Sequence, residues 1–388
     1  MLKPTLSSDG LPGRRRDVIG LGLLATLTAI KPLDAQDLES AAGDWNEFRV
    51  RFLTQDGRIL DTGNHNSSHS EGQGCGLLAA VQADDEANFA RMLGWTVATL
   101  GRRGDSLFAW RFQPDKRPTV DDSNNATDGD LLIAWALLKA GRRWNKSAYR
   151  RRGLAIARDL LRYCALQAGG RWLLLPAVYG FRSQQRTVVN PSYYIFPALR
   201  DLASETGDAT WTRIAEDGLA MIRDARFGRW SLPADWLELP DGASRFRLAV
   251  GWPARFSFDA IRVPLNLSWA GMAPESITIA CAGFWADPDH RGLPAWTDLR
   301  SNQLSPYTAN SGIVAVARLT TAAILGRGDP LIMPRVATAP DYYAAALVML
   351  SRMAWRDLGL RRDGRGLPEP RLSPTSVRSP APYNPPPG

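Results

Sequence analysis

Apolar residues recur at helical spacing along most of the chain. "DWNEFRVRFL", "GLLAAVQ", "EANFARMLGWTVATL", "DLLIAWALLKAGRRW", "YRRRGLAIARDLLRYCAL", "YYIFPALRDLASE", "ATWTRIAEDGLAMIRDA", "ESITIACAGFWA", "SGIVAVARLTTAAIL" and "DYYAAALVMLSRMAWRDL" each read as a helix. Gly, Pro, Asn and Asp breaks separate them. Several are apolar on more than one side, "GIVAVARLTTAAIL" among them, and such helices belong inside a multi-helix layer. Strand patterns are few and short: "RWLLLPAVYGF" and "GRILDTG". No shift in composition splits residues 40–355. The pattern predicts one all-α domain of about eleven or twelve helices. Antiparallel helix pairs set in a ring, with long loops at one end, suit it; an irregular all-α domain suits it too.

The two ends read differently. Arg14, Arg15 and Arg16 precede an apolar run from Val18 to Ile30, and Ala35 follows before polar sequence resumes. That run is too short to span a bilayer. It predicts an export signal over residues 1–35, cut near Ala35. Arg15-Arg16-Asp17-Val18-Ile19 also fits a twin-arginine pattern, with an ordinary Sec signal as the alternative. Either route predicts a periplasmic or secreted protein with no membrane span in its mature form. Beyond residue 360 prolines crowd at 368, 370, 374, 380, 382 and 385–387. Residues 361–388 are therefore expected to be a Pro-rich disordered tail, which leaves residues 36–360 as the folded domain.

Composition narrows the chemistry. The 388 residues are 45% hydrophobic and 22% charged, ordinary for a globular protein with a large core. Part of the formal charge of +8 comes from the arginines near both ends, and no basic run interleaves with aromatics in the middle. That argues against nucleic acid as a partner. Cys75, Cys164 and Cys281 are widely spaced in apolar contexts and read as buried thiols rather than a disulfide framework. With three histidines and no CxxC or HExxH, no metal site is expected. Fourteen tryptophans keep carbohydrate in play, because flat rings stack on sugar faces as well as filling cores.

Two short stretches hold carboxylates in suggestive places. In "HNSSHSEGQGCG" Glu71 is either a helix-start acid behind a Ser70 cap or an acid placed for chemistry. In "NNATDGDLLIAWALLKAGRRW" Thr127 or Asp128 could cap a helix with Asp130 in its first turn, which the helix dipole favours. The second stretch carries more. Ala126-Thr127-Asp128-Gly129-Asp130, then Ile133-Ala134, Ala140 and Trp144, resembles the signature of glycoside hydrolase family 8. "SEGQGCG" is similar to that family's acid-bearing segment, "LFAWRFQP" and "NPSYYIFPAL" to segments that line its cleft, and "RFSFDAIRVPLNLSWAGM" to the segment with its catalytic base. "DYYAAALVMLSRMAW" resembles its closing helix. "FDAIRVPL" and "SEGQG" look closest to the cellulases that accompany bacterial cellulose synthases. One departure is Cys75, where the family often has Tyr.

The resemblance implies an (α/α)6 barrel of six helix pairs and an inverting endo-β-1,4-glucanase acting on cellulose, without a cofactor. It implies Glu71 as general acid, Asp259 as general base, and Asp128 as a third acid that holds the distorted sugar and keeps Glu71 protonated. Trp110, Tyr193, Arg262 and Asn190 would contact substrate, while Asp130 would support the helix start and His65 and His69 would bond locally. An inverting pair stands roughly 6.5–9.5 Å apart to admit a water. The implied setting is trimming of nascent cellulose beside the synthase, which would make that machinery a partner. The alternatives are a chitosanase or xylanase of the same family, or a subunit that binds glucan without cutting it.

Overall fold

The computed structural model describes residues 40–360. The expected export signal at 1–35 and the expected tail at 361–388 lie outside the described residues.

Eleven α-helices run through the described chain. They are α1 (Ala41–Phe52), α2 (Ser70–Gln82), α3 (Glu86–Leu100), α4 (Thr127–Arg143), α5 (Ser147–Cys164), α6 (Phe196–Thr206), α7 (Thr210–Asp224), α8 (Arg262–Trp269), α9 (Ser276–Trp285), α10 (Ser311–Leu325) and α11 (Tyr342–Asp357). Ten of them fall on the ten predicted stretches. The helix that the periodicity misses is α8. It is only eight residues long and carries Pro264 in its first turn, where a missing N–H costs nothing but the sequence reads as a break.

In space α2, α4, α6, α8, α10 and α11 touch in succession, and α11 returns to α2. The remaining helices pack around them, so the architecture is the all-α (α/α)6 barrel. The inner helices show why they are inside. In α2 every residue from Gly72 to Val81 is buried, and in α4 every residue from Thr127 to Leu138. By contrast α7 buries one stripe, Trp211, Ile214, Gly218, Leu219, Met221 and Ile222, and shows its other side to solvent. α2 and α4 approach closely because Gly74 of α2 has no side chain: a Cβ there would stand 2.5 Å from Leu132 Cβ. Charge closes the ring. Asp44 of α1 accepts from Arg352 Nε at 2.7 and 2.8 Å and from Arg356 Nη1 at 2.6 Å, while Arg356 Nη2 donates to Gln82 of α2 at 2.9 Å.

Five of the seven buried tryptophans use their N–H groups, while those of Trp211 and Trp285 have no partner among the described residues. Trp135 and Trp269 meet edge to face at 5.1 Å inside the ring, donating to Asp201 at 2.7 Å and Asp357 at 2.8 Å. Trp45, Trp211, Trp285, Trp296 and Trp355 are buried as well, so half of the tryptophans serve packing. All three cysteines are free and buried, as expected.

Short antiparallel strands decorate the ring. β1 (Ser68–His69) pairs with β2 (Arg111–Phe112), and β3 (Ala165–Ala168) with β4 (Arg171–Leu174). β5 (Arg186–Val189), β6 (Leu237–Pro240) and β7 (Arg247–Leu248) form a three-stranded sheet, and β8 (Arg255–Phe256) pairs with β9 (Thr297–Asp298). β4 falls within the predicted "RWLLLPAVYGF", whereas "GRILDTG" gives isolated bridges, Leu53 to Ile59 and Asp61 to Ser67.

Candidate active site

The first turns of α2, α4 and α8 come together at one end of the ring. Each start is fixed by a different local device. Ser70 N donates to Trp110 O at 3.0 Å, which extends the β1–β2 pairing and leaves extended His69 as the residue before α2. Ser70 is therefore the first helical residue and not the cap; its Oγ is buried without a partner. Glu71 follows in the first turn. For α4, Thr127 N and Oγ1 bond to Pro176 O at 2.9 Å and Leu175 O at 2.7 Å. So neither Thr127 nor Asp128 caps it; Ala126 precedes the helix with no side-chain cap. A Cβ on Gly129 would stand 2.7 Å from Glu71 N, so the missing side chain lets the two acid-bearing turns touch.

Arg262, the first residue of α8, binds all three acids. Its Nη1 donates to Glu71 Oε1 in a short bond and to Asp128 Oδ2 at 3.0 Å, and its Nη2 donates to Asp259 Oδ1 at 2.7 Å. A cation at a helix N-terminus opposes the helix dipole, and three carboxylates around one guanidinium supply the compensation. The Arg262 side chain is 12% exposed, Asp128 3%, Glu71 31% and Asp259 29%, so Glu71 and Asp259 are partly open to solvent while Asp128 is buried.

The electrostatics separate these acids. Burial pushes the Glu71 carboxyl up to about 7; Arg262 pulls it down, and the charges of Asp128, Asp259 and Asp61 add to the rise. Asp128 is raised by burial and then by Asp259, against Arg262 and the Gly129 N–H. Asp130 is pushed up to about 8 by burial, and it supports structure: it accepts from Phe108 N and Asn125 Nδ2, both at 3.0 Å. His69 is driven down to about 4, chiefly by burial, so it is neutral near pH 7. It lies 3.4 Å from Asn64 Nδ2 and 3.7 Å from Asp61.

The predicted contact residues divide. The Tyr193 ring lies under the Arg262 guanidinium at 5.7 Å and meets Trp236 edge to face at 6.4 Å. Trp110 stacks on His69 at 6.0 Å, carries Arg111 at 4.5 Å and donates Nε1 to Asp122 at 2.9 Å. Asn190 is fully buried and caps the turn Pro191–Tyr193, accepting from Ser192 N at 3.0 Å and Ser192 Oγ at 2.7 Å. Its Nδ2 is buried without a hydrogen-bond partner among the described residues.

Several neighbours went unread in the sequence. Trp236 stacks on Phe181 at 5.7 Å and on Trp252 at 5.5 Å, an aromatic shelf beside Tyr193. Asp235 and Tyr343 grip the segment that carries Asp259. Among the described residues, no group of three or more His, Cys, Asp or Glu side chains could hold a metal ion. No described helix is long and apolar enough to cross a membrane.

Comparison with known proteins agrees with this fold. A sequence profile for glycosyl hydrolases family 8 matches residues 19–357. The chain is 41% identical over 316 residues to a probable endoglucanase of Novacetimonas hansenii, spanning 81% of this chain and 91% of that protein. It is 40% identical over 296 residues to an endoglucanase of Cellulomonas uda, spanning 76% and 80% of the two chains. Among solved structures it superposes on the endo-β-1,4-glucanase CMCax of Acetobacter xylinum with a TM-score of 0.78 at 40% identity, covering 83% of this chain and all of that one.

Proposed function

The chain belongs to glycosyl hydrolase family 8 and is an endo-β-1,4-glucanase, and we propose that it cuts with inversion, using Glu71 as acid and Asp259 as base. The observation that carries the assignment of roles is the meeting of Glu71, Asp128 and Asp259 on the single guanidinium of Arg262.

The chemistry follows from their environments. Glu71, raised to about 7, holds a proton at mildly acid pH and can deliver it to the glycosidic oxygen as the C–O bond breaks. Asp259, partly open to solvent, accepts a proton from the water that attacks the anomeric carbon on the opposite face. The product sugar emerges with inverted configuration, and the two carboxyls exchange protons with solvent to reset. Asp128 sits lowest, where it can bond a hydroxyl of the sugar at the cleavage point while its charge favours the protonated form of Glu71. Arg262 keeps three acids in one place without letting their mutual repulsion scatter them. A subunit that only held glucan would gain nothing from such a cluster, since burying carboxylates is costly. Tyr193, Trp236 and Trp252 offer aromatic faces for the flanking sugars.

The resemblance to the cellulases of cellulose-producing bacteria, together with the Novacetimonas and Acetobacter relatives, supports a role in trimming nascent cellulose outside the cytoplasm. Carboxymethyl cellulose, with xylan and soluble chitosan alongside, tests the activity; proton NMR of fresh products from a soluble cello-oligosaccharide tests inversion. The reading expects a fast viscosity fall on the cellulose derivative alone and an α-anomer appearing first. Sugar release without loss of viscosity, or an initial β-anomer, contradicts it.

A further inference from the structure

Asp235 is a buried carboxylate that the mechanism above does not use. It lies in the loop just before β6 and is 6% exposed. Its Oδ1 accepts two backbone N–H groups, from Ser257 at 2.9 Å and Ala260 at 2.8 Å, and its Oδ2 takes a short bond from the Ser257 hydroxyl. Its own N–H donates to Arg255 O at 2.8 Å. From the other side, the Tyr343 hydroxyl of α11 donates to Phe258 O at 2.6 Å. The segment 255–260 is thus tied down at 255, 257, 258 and 260. Between those ties stands Asp259, whose carboxylate accepts from Arg262 Nη2 at 2.7 Å.

A carboxylate suits this duty. Ionised, it has only acceptors, and the surrounding groups are donors. Its burial is unfavourable, and burial with the Asp259 charge pushes it up to about 7, so the fold keeps an expensive group where an apolar side chain would pack. The backbone N–H groups it satisfies flank the reacting residue rather than a distant element.

We propose that Asp235 is a positioning residue for Asp259: it fixes the loop 257–260 by accepting its N–H groups and so sets the base against the attacking water. The proposal rests on the reading of Asp259 as general base. It predicts that Asp235→Ala lowers kcat about 100-fold, the order expected for a displacement near 1 Å, while KM stays within about three-fold. Asp235→Asn keeps an acceptor oxygen for both N–H groups and can donate to Ser257 Oγ, so it should fall by less than about five-fold. In an Asp259→Asn background, Asp235→Ala should cost almost nothing more, because a missing base cannot be misplaced. A general loss of fold would instead cost the same factor in both backgrounds. If Asp235→Ala does not yield folded protein, Asp235→Glu retains the charge but moves the acceptor by one methylene, and it should show the same kcat loss.

The experiment is this cycle on carboxymethyl cellulose, with folding followed by circular dichroism. A dead Asp259→Asn with undiminished Asp235→Ala, or equal losses from Asp235→Ala in both backgrounds, overturns the positioning role alone. An active Asp259→Asn overturns the base assignment, and the positioning role with it.

Discussion

Replacing Arg262 with Met removes the one cation that three acids share while keeping much of the volume of the stem. Loss of one partner from a buried ion pair costs about 3–5 kcal/mol when the charge left behind cannot escape. Here the acids can escape by binding protons. Glu71, raised to about 7, already holds one in the wild type at mildly acid pH. Without Arg262 a second carboxyl, Asp128 being the deeper, should stay protonated in the folded protein well above its unfolded pKa. The folded variant then binds more protons than its unfolded chain. Stability contributed this way is present at acid pH and lost as pH rises. One proton corresponds to about 1.4 kcal/mol per pH unit, so from pH 5 to pH 7 the deficit against wild type should grow by about 2.7 kcal/mol. Urea unfolding followed by tryptophan fluorescence at pH 5, 6 and 7 measures it. An equal deficit at pH 5 and pH 7 would refute the reasoning, because loss of packing alone has no such pH dependence.

Other consequences follow from the same site. Gly129→Ala should destabilise by about 1–3 kcal/mol and lower kcat about 100-fold, since the new methyl would meet Glu71 N where α2 and α4 touch; thermal melts and initial rates check both. Trp236→Ala should raise KM for polymer about ten-fold while changing kcat less, because it removes the shelf shared with Phe181 and Trp252 and leaves the acids in place. The pH profile of kcat/KM should fall as pH rises through about 7, when Glu71 loses the proton it must donate.

Much of this fold was legible in residue spacing, and the exceptions have physical causes. Ten helices carry long apolar stripes that no other element would bury. α8 escaped because eight residues give barely two turns and Pro264 reads as a break, yet it is the helix that presents Arg262. The start of α2 was misread for a non-local reason: the bond from Ser70 N to Trp110 O moves the cap one residue back. Tryptophan count pointed to sugar, but seven of the rings are interior, and the two of the aromatic shelf beside Tyr193, Trp236 and Trp252, lay in a stretch with no motif. The three acids sit far apart along the chain, and nothing in their local sequence tells a helix-start carboxylate from a proton donor. The resemblance supplied that, and the geometry adds what it could not: one guanidinium at the centre. Asp235 was invisible because its partners are backbone N–H groups, which carry no side-chain signature.

The central claim is that Glu71 donates the proton, and Glu71→Gln tests it most directly, since the amide nearly keeps the shape and has no acid to give. Purified wild type and variant would be compared on carboxymethyl cellulose at pH 6, with urea unfolding at pH 5 and pH 8. The account predicts a folded variant whose kcat is lower by about 1,000-fold or more, and whose stability relative to wild type improves from pH 5 to pH 8, because the wild type alone loses stability as a raised carboxyl ionises. A folded Glu71→Gln protein that still cuts cellulose at a tenth of the wild-type rate would contradict it.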